Sequence, residues 1–281
     1  MSARPLVLKF GGELLEDPAH LATVVSGIKT IARESRDLVI VHGGGKEIDA
    51  ALKTAGIEKK QVDGLRITDE ATLDVAVAVL AGTINTRFVA ALNSAGVRAV
   101  GLTGADATIG LCDVAPPHRG AGDTAGRTVD LGRVGAPVAD PGAHDMQLLD
   151  TLVSGGFVPV IACIGIGRDG RLLNVNADTL AGHFAARLRA RRLVVAGGTP
   201  GVLDKSGATL TALDAGALAE LVNDGTASAG MIAKLRACEH ALNGGVDDVV
   251  IVDGRTADAL TAAAITGSSA AATWIRATSR V

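Results

Sequence analysis

This chain has few aromatic residues and no excess of positive charge. Its 281 residues include four phenylalanines, one tryptophan and no tyrosine, and its 27 lysines and arginines are balanced by 30 aspartates and glutamates. Surfaces that bind nucleic acid combine clustered basic residues with aromatic rings on which bases stack. The composition therefore argues against a nucleic-acid partner and favours a small-molecule ligand.

Cysteine is also rare, and histidine is scattered. Cys112, Cys163 and Cys238 lie far apart without a CxxC pair, and the six histidines form no HExxH motif. These spacings are neither a disulfide framework nor a set of zinc ligands. We expect reduced cysteines that serve in packing, and no protein-built metal site.

Long apolar runs are missing as well. No stretch approaches the roughly 18 uninterrupted apolar residues of a membrane span. The amino terminus, MSARPLVLKFGG, reaches a strand-like run almost at once and lacks the apolar core and cleavage site of a secretory signal. We expect a cytoplasmic protein without a membrane partner.

Short runs of valine, isoleucine and leucine do recur. They predict strands at LVLKF (6 to 10), DLVIVH (37 to 42), VRAVGL (97 to 102), FVPVIA (157 to 162), RLVVAG (192 to 197) and DDVVIV (247 to 252). Continuous rather than alternating apolar character is typical of parallel strands that are covered on both faces. Helical patterns lie between them, at 18 to 34, 47 to 55, 69 to 95, 144 to 154, 177 to 190, 212 to 223, 230 to 243 and 256 to 265. The alternation predicts a three-layer α/β/α sandwich with a mostly parallel central sheet.

The length favours two lobes, and we place the division near residue 175, giving lobes at 1 to 175 and 176 to 281.

Two segments interrupt the alternation of strands and helices. Residues 113 to 142 are rich in proline, glycine and charge, which predicts loops with a short hairpin. Residues 163 to 178 predict two short strands joined by a turn at Asp169-Gly170. This segment contains a GxGxxG match, but a strand-like run comes after it where a dinucleotide site needs a helix, so we interpret it as a hairpin turn.

Two glycine loops come after predicted strands. Gly11-Gly12 comes after LVLKF, and Gly43-Gly44-Gly45 comes after DLVIVH. Such loops let backbone N–H groups face an anion, although either alone is also typical of a tight turn. Because Lys46 is followed by glutamate rather than serine or threonine, the second loop is not a P-loop. The pair predicts a site for a phosphoryl or carboxylate group.

Four charged residues are candidates for that site. Lys9 lies inside an apolar strand, Lys234 near the start of a helix, Asp178 just after the polar triplet NVN, and Arg66 in GLRIT. Each also has an ordinary interpretation as a snorkelling lysine, a solvated helix lysine, a helix cap or an exposed arginine. The residues alone indicate an anion site without naming a reaction.

The chain resembles the amino acid kinase family in ordered segments from about residue 6 to residue 254: LVLKFGG, VHGGGKEID, GLRITDEATLDVAVAVLAGTINTRFVAALNSAG, AVGLTGADA, NVNADTLAG, PGVLD and GMIAKLRAC. The spacings resemble those of the members that act on N-acetylglutamate more than those of aspartokinase or carbamate kinase. The resemblance implies that ATP, with Mg²⁺, phosphorylates the side-chain carboxylate of N-acetyl-L-glutamate on the route to arginine. It also implies a homodimer, an acceptor-binding first lobe that carries the dimer contact, and a nucleotide-binding second lobe.

Roles carry over to matching positions. Lys9 and Lys234 would stabilise the transferring phosphoryl group, Asp178 would orient both lysines, and the N–H groups of Gly12 and Gly45 would assist. Gly44, Gly45, Arg66 and Asn174 would hold the acceptor. The nucleotide contacts would be Gly198, Thr199, Pro200, Gly201, Val202, Leu203, Thr226, Ala227 and Ser228.

The chain departs from the family pattern in two ways. Gly197-Gly198 stands where the family usually has Thr-Asp or Ser-Asp, which implies weaker ATP binding or a nucleotide pocket completed by other residues. This departure leaves a non-catalytic amino acid sensor open as an alternative. A kinase for a related acceptor such as N-acetylaminoadipate is a second alternative, which would differ only in the length of the acceptor pocket. In addition, the arginine-inhibited members of the family carry an extra N-terminal helix that links dimers into a hexameric ring, whereas this chain begins almost on its first strand. We therefore expect no hexameric ring and weak or absent inhibition by arginine.

Overall fold

The structure is a computed structural model that describes residues 4–35, 37–120, 126–139, 146–204, 206–223, 229–267 and 272–276. Its strands are β1 (Leu6–Phe10), β2 (Leu38–His42), β3 (Gln61–Val62), β4 (Leu65–Arg66), β5 (Ala99–Thr103), β6 (Leu111–Val114), β7 (His118–Arg119), β8 (Thr128–Val129), β9 (Gly135–Pro137), β10 (Val158–Ala162), β11 (Ile164–Gly167), β12 (Leu172–Asn174), β13 (Arg192–Gly197), β14 (Ala212–Asp214), β15 (Asp248–Asp253) and β16 (Ala272–Arg276). Its α-helices are α1 (Pro18–Glu34), α2 (Gly45–Thr54), α3 (Glu70–Val77), α4 (Asn85–Ser94), α5 (Gln147–Ser154), α6 (Ala177–Arg187), α7 (Ala215–Asn223), α8 (Ala229–Asn243) and α9 (Ala257–Thr261).

The middle layer is an eight-stranded sheet in the order β14-β16-β15-β13-β1-β2-β10-β5. Its strand pairs are parallel except for β15 with β16. The predicted α/β/α sandwich is therefore confirmed. Because β1 pairs with both β2 and β13, the sheet continues across the division near residue 175, and the two-lobe division stays a prediction.

Two strands of this sheet were not predicted. β16 is a short run, ATWIR, that pairs antiparallel with β15, and β14 pairs with β16. The sequence around β14 is rich in alanine and leucine, which led us to predict a helix from residue 212. The helix begins at Ala215 instead, because the three preceding residues are held in the sheet by a partner distant in sequence.

The strands at the centre of the sheet are buried along their whole length, as their continuous apolar character requires. Every residue of β1, β2 and β10 is buried, including Lys9 and His42. A buried lysine needs a partner, since an unpaired ammonium group in an apolar interior is strongly unfavourable. The partner of Lys9 therefore indicates where the chemistry lies.

Within the described residues, one helical run, Glu70–Ser94, is long and apolar enough by length and composition to cross a membrane, as the core helices of many globular proteins also are. It consists of α3, a π-helical segment (Ala78–Ile84) and α4. Phe88 and Asn85 are buried against the sheet. Only 39% of the most apolar 18-residue window of the run is buried, however. The run therefore packs on the sheet and leaves apolar surface uncovered.

The GxGxxG segment is a hairpin, as we predicted. β11 and β12 pair antiparallel, and Gly170 in their turn has φ +79°.

The three cysteines, Cys112, Cys163 and Cys238, are free and buried, as expected. Burial raises the pKa of each thiol to about 12.

Candidate active site

A cavity of about 270 Å³ lies where β1 and β2 end and where α2 and α6 begin. Parallel strands bring the loops at their carboxyl ends to one edge of a sheet, which is where ligands of open α/β folds bind. The predicted residues that line the cavity are Lys9, Gly12, Gly44, Gly45, Arg66, Asn174 and Asp178. A larger cavity, about 430 Å³, lies at the opposite edge, but its cations Lys29, Arg33 and Arg98 stand beside the carboxyl ends of helices.

Lys9 and Lys234 meet at a single carboxylate oxygen. The Nζ of Lys9 lies 2.9 Å from Oδ1 of Asp178, and the Nζ of Lys234 lies 3.8 Å from the same atom. Asn176 caps α6 by accepting the N–H of Thr179, which places Asp178 in the first turn of that helix. A carboxylate is favoured there by the positive end of the helix dipole. The structure thus brings together three residues that are distant in sequence.

The two lysines differ in their electrostatics. Burial alone would lower the pKa of Lys9, but Asp178 and then Glu13 raise it above its ordinary value. Burial and the charge of Lys9 lower the pKa of Lys234, and Asp178 offsets only part of this effect. Burial would raise the pKa of Asp178, but the two lysines lower it, so the carboxylate is ionised. An incoming anion would relieve the repulsion between the lysines.

The glycine loops touch one another. A Cβ on Gly12 would lie 2.6 Å from the Cα of Gly44, and a Cβ on Gly44 would lie 2.1 Å from the side chain of Ile84. A Cβ on Gly45 would meet nothing within 4 Å. Two of these glycines are therefore needed for the protein's own packing, and the third leaves open space beside the cavity. The first N–H groups of α2 have no partner within the helix and are available to an anion.

Of the two terminal nitrogens of Arg66, only one has hydrogen-bond partners among the described residues. Its Nη2 donates to the carbonyl of Gly45 at 3.1 Å and to Oδ1 of Asp49 at 2.5 Å. Asp49 also accepts from Lys59 at 2.8 Å; burial would raise the pKa of Asp49, but these two cations lower it. The other terminal nitrogen, Nη1, is buried and has no hydrogen-bond partner among the described residues. This donor is therefore free to bind a ligand carboxylate.

Asn174 ends the hairpin and also faces the cavity. Its Nδ2 donates to Oγ1 of Thr68 at 3.2 Å, and Thr68 donates in turn to the carbonyl of Arg66. The amide of Asn174 is thereby oriented by the same segment that carries Arg66. These contacts are consistent with the predicted acceptor pocket.

The predicted nucleotide residues come after β13, beyond the lining of this cavity. Val202 is buried and its N–H donates to Oγ1 of Thr273, so its side chain packs in the core, whereas Leu203 is 43% exposed. Gly201 has φ +149°, and a Cβ there would lie 2.4 Å from Thr273 Oγ1. Gly198, Thr199 and Pro200 lie on the same loop, and Thr226, Ala227 and Ser228 lie outside the described residues.

Glu13 is a site residue that the sequence analysis missed. Its Oε1 accepts the N–H of Gly198 at 3.1 Å and would lie 3.3 Å from a Cβ on Gly197. The carboxylate therefore fills space left by the two glycines that depart from the family pattern. An acidic residue directly after the first glycine loop was the available signal, but its partner lies 185 residues further along the chain.

Two ammonium groups around one carboxylate, under two glycine loops at the ends of parallel strands, form a site for a highly charged anion. Together with the α/β/α fold, this defines the chain as an α/β protein of the phosphoryl-binding class. A model of the amino acid kinase family matches residues 4–253. The chain belongs to the amino acid kinase family, so the resemblance in the sequence is confirmed.

Individual relatives agree with this assignment. The chain is 41% identical over 252 residues to the acetylglutamate kinase of Erythrobacter litoralis, covering 89% of this chain and 83% of that one. It is 42% identical over 246 residues to the acetylglutamate kinase of Rhizorhabdus wittichii, covering 87% and 80%. The solved structure of N-acetylglutamate synthase from Neisseria gonorrhoeae, complexed with coenzyme A and N-acetyl-glutamate, has a TM-score of 0.78 at 24% identity. It matches 97% of this chain, which spans 59% of that one, and the likeness shows the shared fold.

Proposed function

We propose that the protein transfers the γ-phosphoryl group of ATP to the side-chain carboxylate of N-acetyl-L-glutamate, forming N-acetyl-L-glutamyl 5-phosphate for arginine synthesis. The observation that carries the proposal is the convergence of Lys9 and Lys234 on Asp178, within reach of the glycine loops. Relatives named acetylglutamate kinase, at 41% and 42% identity over most of the chain, support the choice of acceptor.

The acceptor has two carboxylates, and the site offers a different partner for each. The Nη1 of Arg66 would bind the non-reacting carboxylate, and Asn174 would hold the acetylated end. An oxygen of the reacting carboxylate attacks the γ-phosphorus, a new P–O bond forms, the bond to the bridging oxygen breaks, and ADP leaves with that electron pair. Lys9 and Lys234 neutralise the charge that spreads over the phosphoryl oxygens, and the N–H groups of Gly12 and Gly45 donate to them.

Asp178 acts by orienting the lysines rather than by taking a proton. Its Oδ1 already lies against both ammonium groups, and its pKa is lowered, so it stays ionised at neutral pH. A carboxylate acceptor is itself ionised at that pH and needs no general base. The chemistry thus depends on positioning and charge.

Magnesium would arrive with the nucleotide. Among the described residues no group of three histidine, cysteine or acidic side chains could hold a metal ion. Mg²⁺ is commonly held by one or two carboxylates together with substrate phosphates. Glu13 and Asp178 are the carboxylates that line the described cavity, so they would face such an ion, which supplies neutralisation of the phosphate charge.

A coupled assay of ADP formation with N-acetylglutamate and Mg-ATP tests the proposal. Lys9→Ala should lower kcat by about 100-fold or more, because it removes a preorganised cation from the transition state. Lys53→Ala, at an exposed position of α2, is the matched control and should leave kcat unchanged. If the protein turned over only another acceptor, such as N-acetylaminoadipate, N-acetylglutamate would be rejected as the acceptor. Acetylglutamate binding without ATP binding in calorimetry would instead indicate a sensor, which has no need of the paired lysines.

We also propose a homodimer in the cytoplasm. The uncovered apolar surface of Glu70–Ser94 lies next to β5, an edge strand of the central sheet, and a second copy of the chain would cover both. Light scattering after gel filtration should give twice the chain mass, and a monomer at micromolar concentration would contradict the dimer. The location is tested by fractionating cells that produce the tagged protein.

A further inference from the structure

His42 is a buried titratable residue at the end of β2 that the proposed chemistry does not use. Its side chain is fully buried and packs edge-on against Phe88, with ring centroids 6.2 Å apart. It lies one residue before the second glycine loop. Its two ring nitrogens have different neighbours, and these neighbours determine which nitrogen carries the proton.

The carbonyl of Val160 decides the orientation of the neighbouring amide. This oxygen only accepts hydrogen bonds, and it lies 2.9 Å from Nδ2 of Asn85, which must therefore be the donor. The amide oxygen of Asn85 then points at Gly101, where a Cβ would lie 2.2 Å from it. Gly101 thus provides the room that the amide needs.

The same amide nitrogen fixes the tautomer of His42. Nδ2 of Asn85 has a second hydrogen and lies 3.1 Å from Nε2 of the imidazole. That ring nitrogen must accept, so the proton of the neutral ring is on Nδ1. Nδ1 lies 3.1 Å from the carbonyl oxygen of Gly43, which accepts this proton. Burial lowers the pKa of His42 to about 4, so the ring is neutral at pH 7.

The consequence reaches the glycine loop. In a trans peptide the C=O and N–H groups point in opposite directions. If Nδ1–H of His42 holds the carbonyl of Gly43, the N–H of Gly44 in the same peptide must point away from the ring. The Gly44 nitrogen lies on the side of Gly12, where a Cβ on Gly12 would come within 3.0 Å of it.

We propose that His42 is a positioning residue, whose Nδ1–H, set by Asn85, holds the Gly43 carbonyl and so aims the Gly44 N–H at the ligand. The role in turnover rests on the proposed function, whereas the tautomer does not. If His42 only filled the core, loss of its hydrogen bond to the Gly43 carbonyl would leave turnover unchanged.

Nuclear magnetic resonance of ¹⁵N-histidine-labelled protein at pH 7 tests the tautomer without any activity. The His42 signals, assigned by their loss in His42→Gln, should show a proton on Nδ1. A proton on Nε2 would overturn the proposal. This result is readable even if the protein turns over none of the proposed substrates.

A matched pair of variants tests the positioning. His42→Asn places an amide near the former Nδ1 and can still donate to Gly43, whereas His42→Gln reaches the position of Nε2 and cannot. We expect kcat within about tenfold of wild type for His42→Asn and a loss of about 100-fold for His42→Gln, comparable to losing one backbone donor. Equal losses in both variants, with similar unfolding midpoints, would overturn the proposal. Absence of wild-type turnover would count against the proposed function instead.

Discussion

Gly12 and Gly44 lie backbone against backbone, so that a Cβ on Gly12 would fall 2.6 Å from the Cα of Gly44. The contact joins the loop after β1 to the loop after β2, two neighbouring parallel strands. Neither loop leaves room for a side chain at Gly12. This contact sets the spacing of the N–H groups on both sides of the candidate phosphoryl site.

Gly12→Ala should destabilise the protein by about 1–3 kcal/mol, because the new methyl group meets backbone rather than a flexible side chain. Gly45→Ala is the matched comparison, since its Cβ meets nothing within 4 Å. It should leave the free energy of unfolding unchanged and raise KM for the acceptor, whose space it would enter. Urea unfolding and acceptor kinetics on both variants check this, and an equal stability loss in the two would contradict it.

Arg66→Lys should raise KM for N-acetylglutamate by about 10- to 100-fold and change kcat little. One lysine amine cannot donate to Asp49 and to a substrate carboxylate in the fork-like geometry of Arg66. A lost charge-assisted hydrogen bond corresponds to a change of this size. Initial rates at varied acceptor concentration measure it.

Arg168→Ala is the control for this measurement, because the Arg168 side chain is 65% exposed in the hairpin turn. It should leave KM unchanged. A lower kcat with unchanged KM in Arg66→Lys would show that Arg66 acts on the transition state instead.

In the absence of Mg²⁺, Glu13→Gln should bind ATP more tightly than the wild type, by about two- to tenfold. The carboxylate accepts the Gly198 N–H beside the site of the paired lysines, so its charge repels an incoming phosphate. Glutamine keeps an oxygen for that N–H and removes the charge. Calorimetric titration with ATP, with and without Mg²⁺, measures the effect; weaker binding only when Mg²⁺ is present would show that the carboxylate serves the metal ion.

The stability of the protein should depend on His42 between about pH 6.5 and pH 4. The folded pKa of about 4 lies below the ordinary value of 6.5, so the unfolded chain takes up this proton first as the pH falls. The unfolding free energy should then fall by at most about 1.4 kcal/mol per pH unit in this window, and the contribution is constant above it.

Urea unfolding of wild type and His42→Asn at several pH values isolates this effect, because the other titrating groups are common to both proteins. The stability difference between them should shrink as the pH falls from 6.5 to 4. A constant difference would mean that His42 is protonated as easily in the folded protein as in the unfolded chain.

Local patterns were sufficient for much of the fold. The six predicted strands lie within a residue or two of observed strands, because each is a continuous apolar run that a parallel sheet buries on both faces. The GxGxxG match was recognisable as a hairpin because its next segment, RLLNVN, is strand-like rather than helical. β16 was not predicted, because a five-residue strand with little apolar repetition is recognisable only through its pairing with β15.

The candidate site was predicted in part. Lys9 was recognisable because a lysine inside a buried strand needs a partner. The glycine loops were recognisable because consecutive glycines directly after a predicted strand mark the end of that strand. Glu13 was not, since its partner Gly198 lies on a loop after a strand that is distant in sequence. The interpretation of the glycines was also incomplete, because Gly12 is required for the contact between the loops and Gly44 leaves room for the side chains of Ile84 and Leu80.

The sequence by itself determined the six apolar strands, most of the helices, the two glycine loops and the family, since these depend on local periodicity and on motifs that any segment carries with it. Only the tertiary structure decided that Lys9 and Lys234 share one oxygen of Asp178, that Glu13 occupies the space beside Gly198, and that His42 carries its proton on Nδ1. The reason is physical. Charge and hydrogen-bond geometry depend on distances of a few ångströms between groups from different elements, and strand order sets these distances.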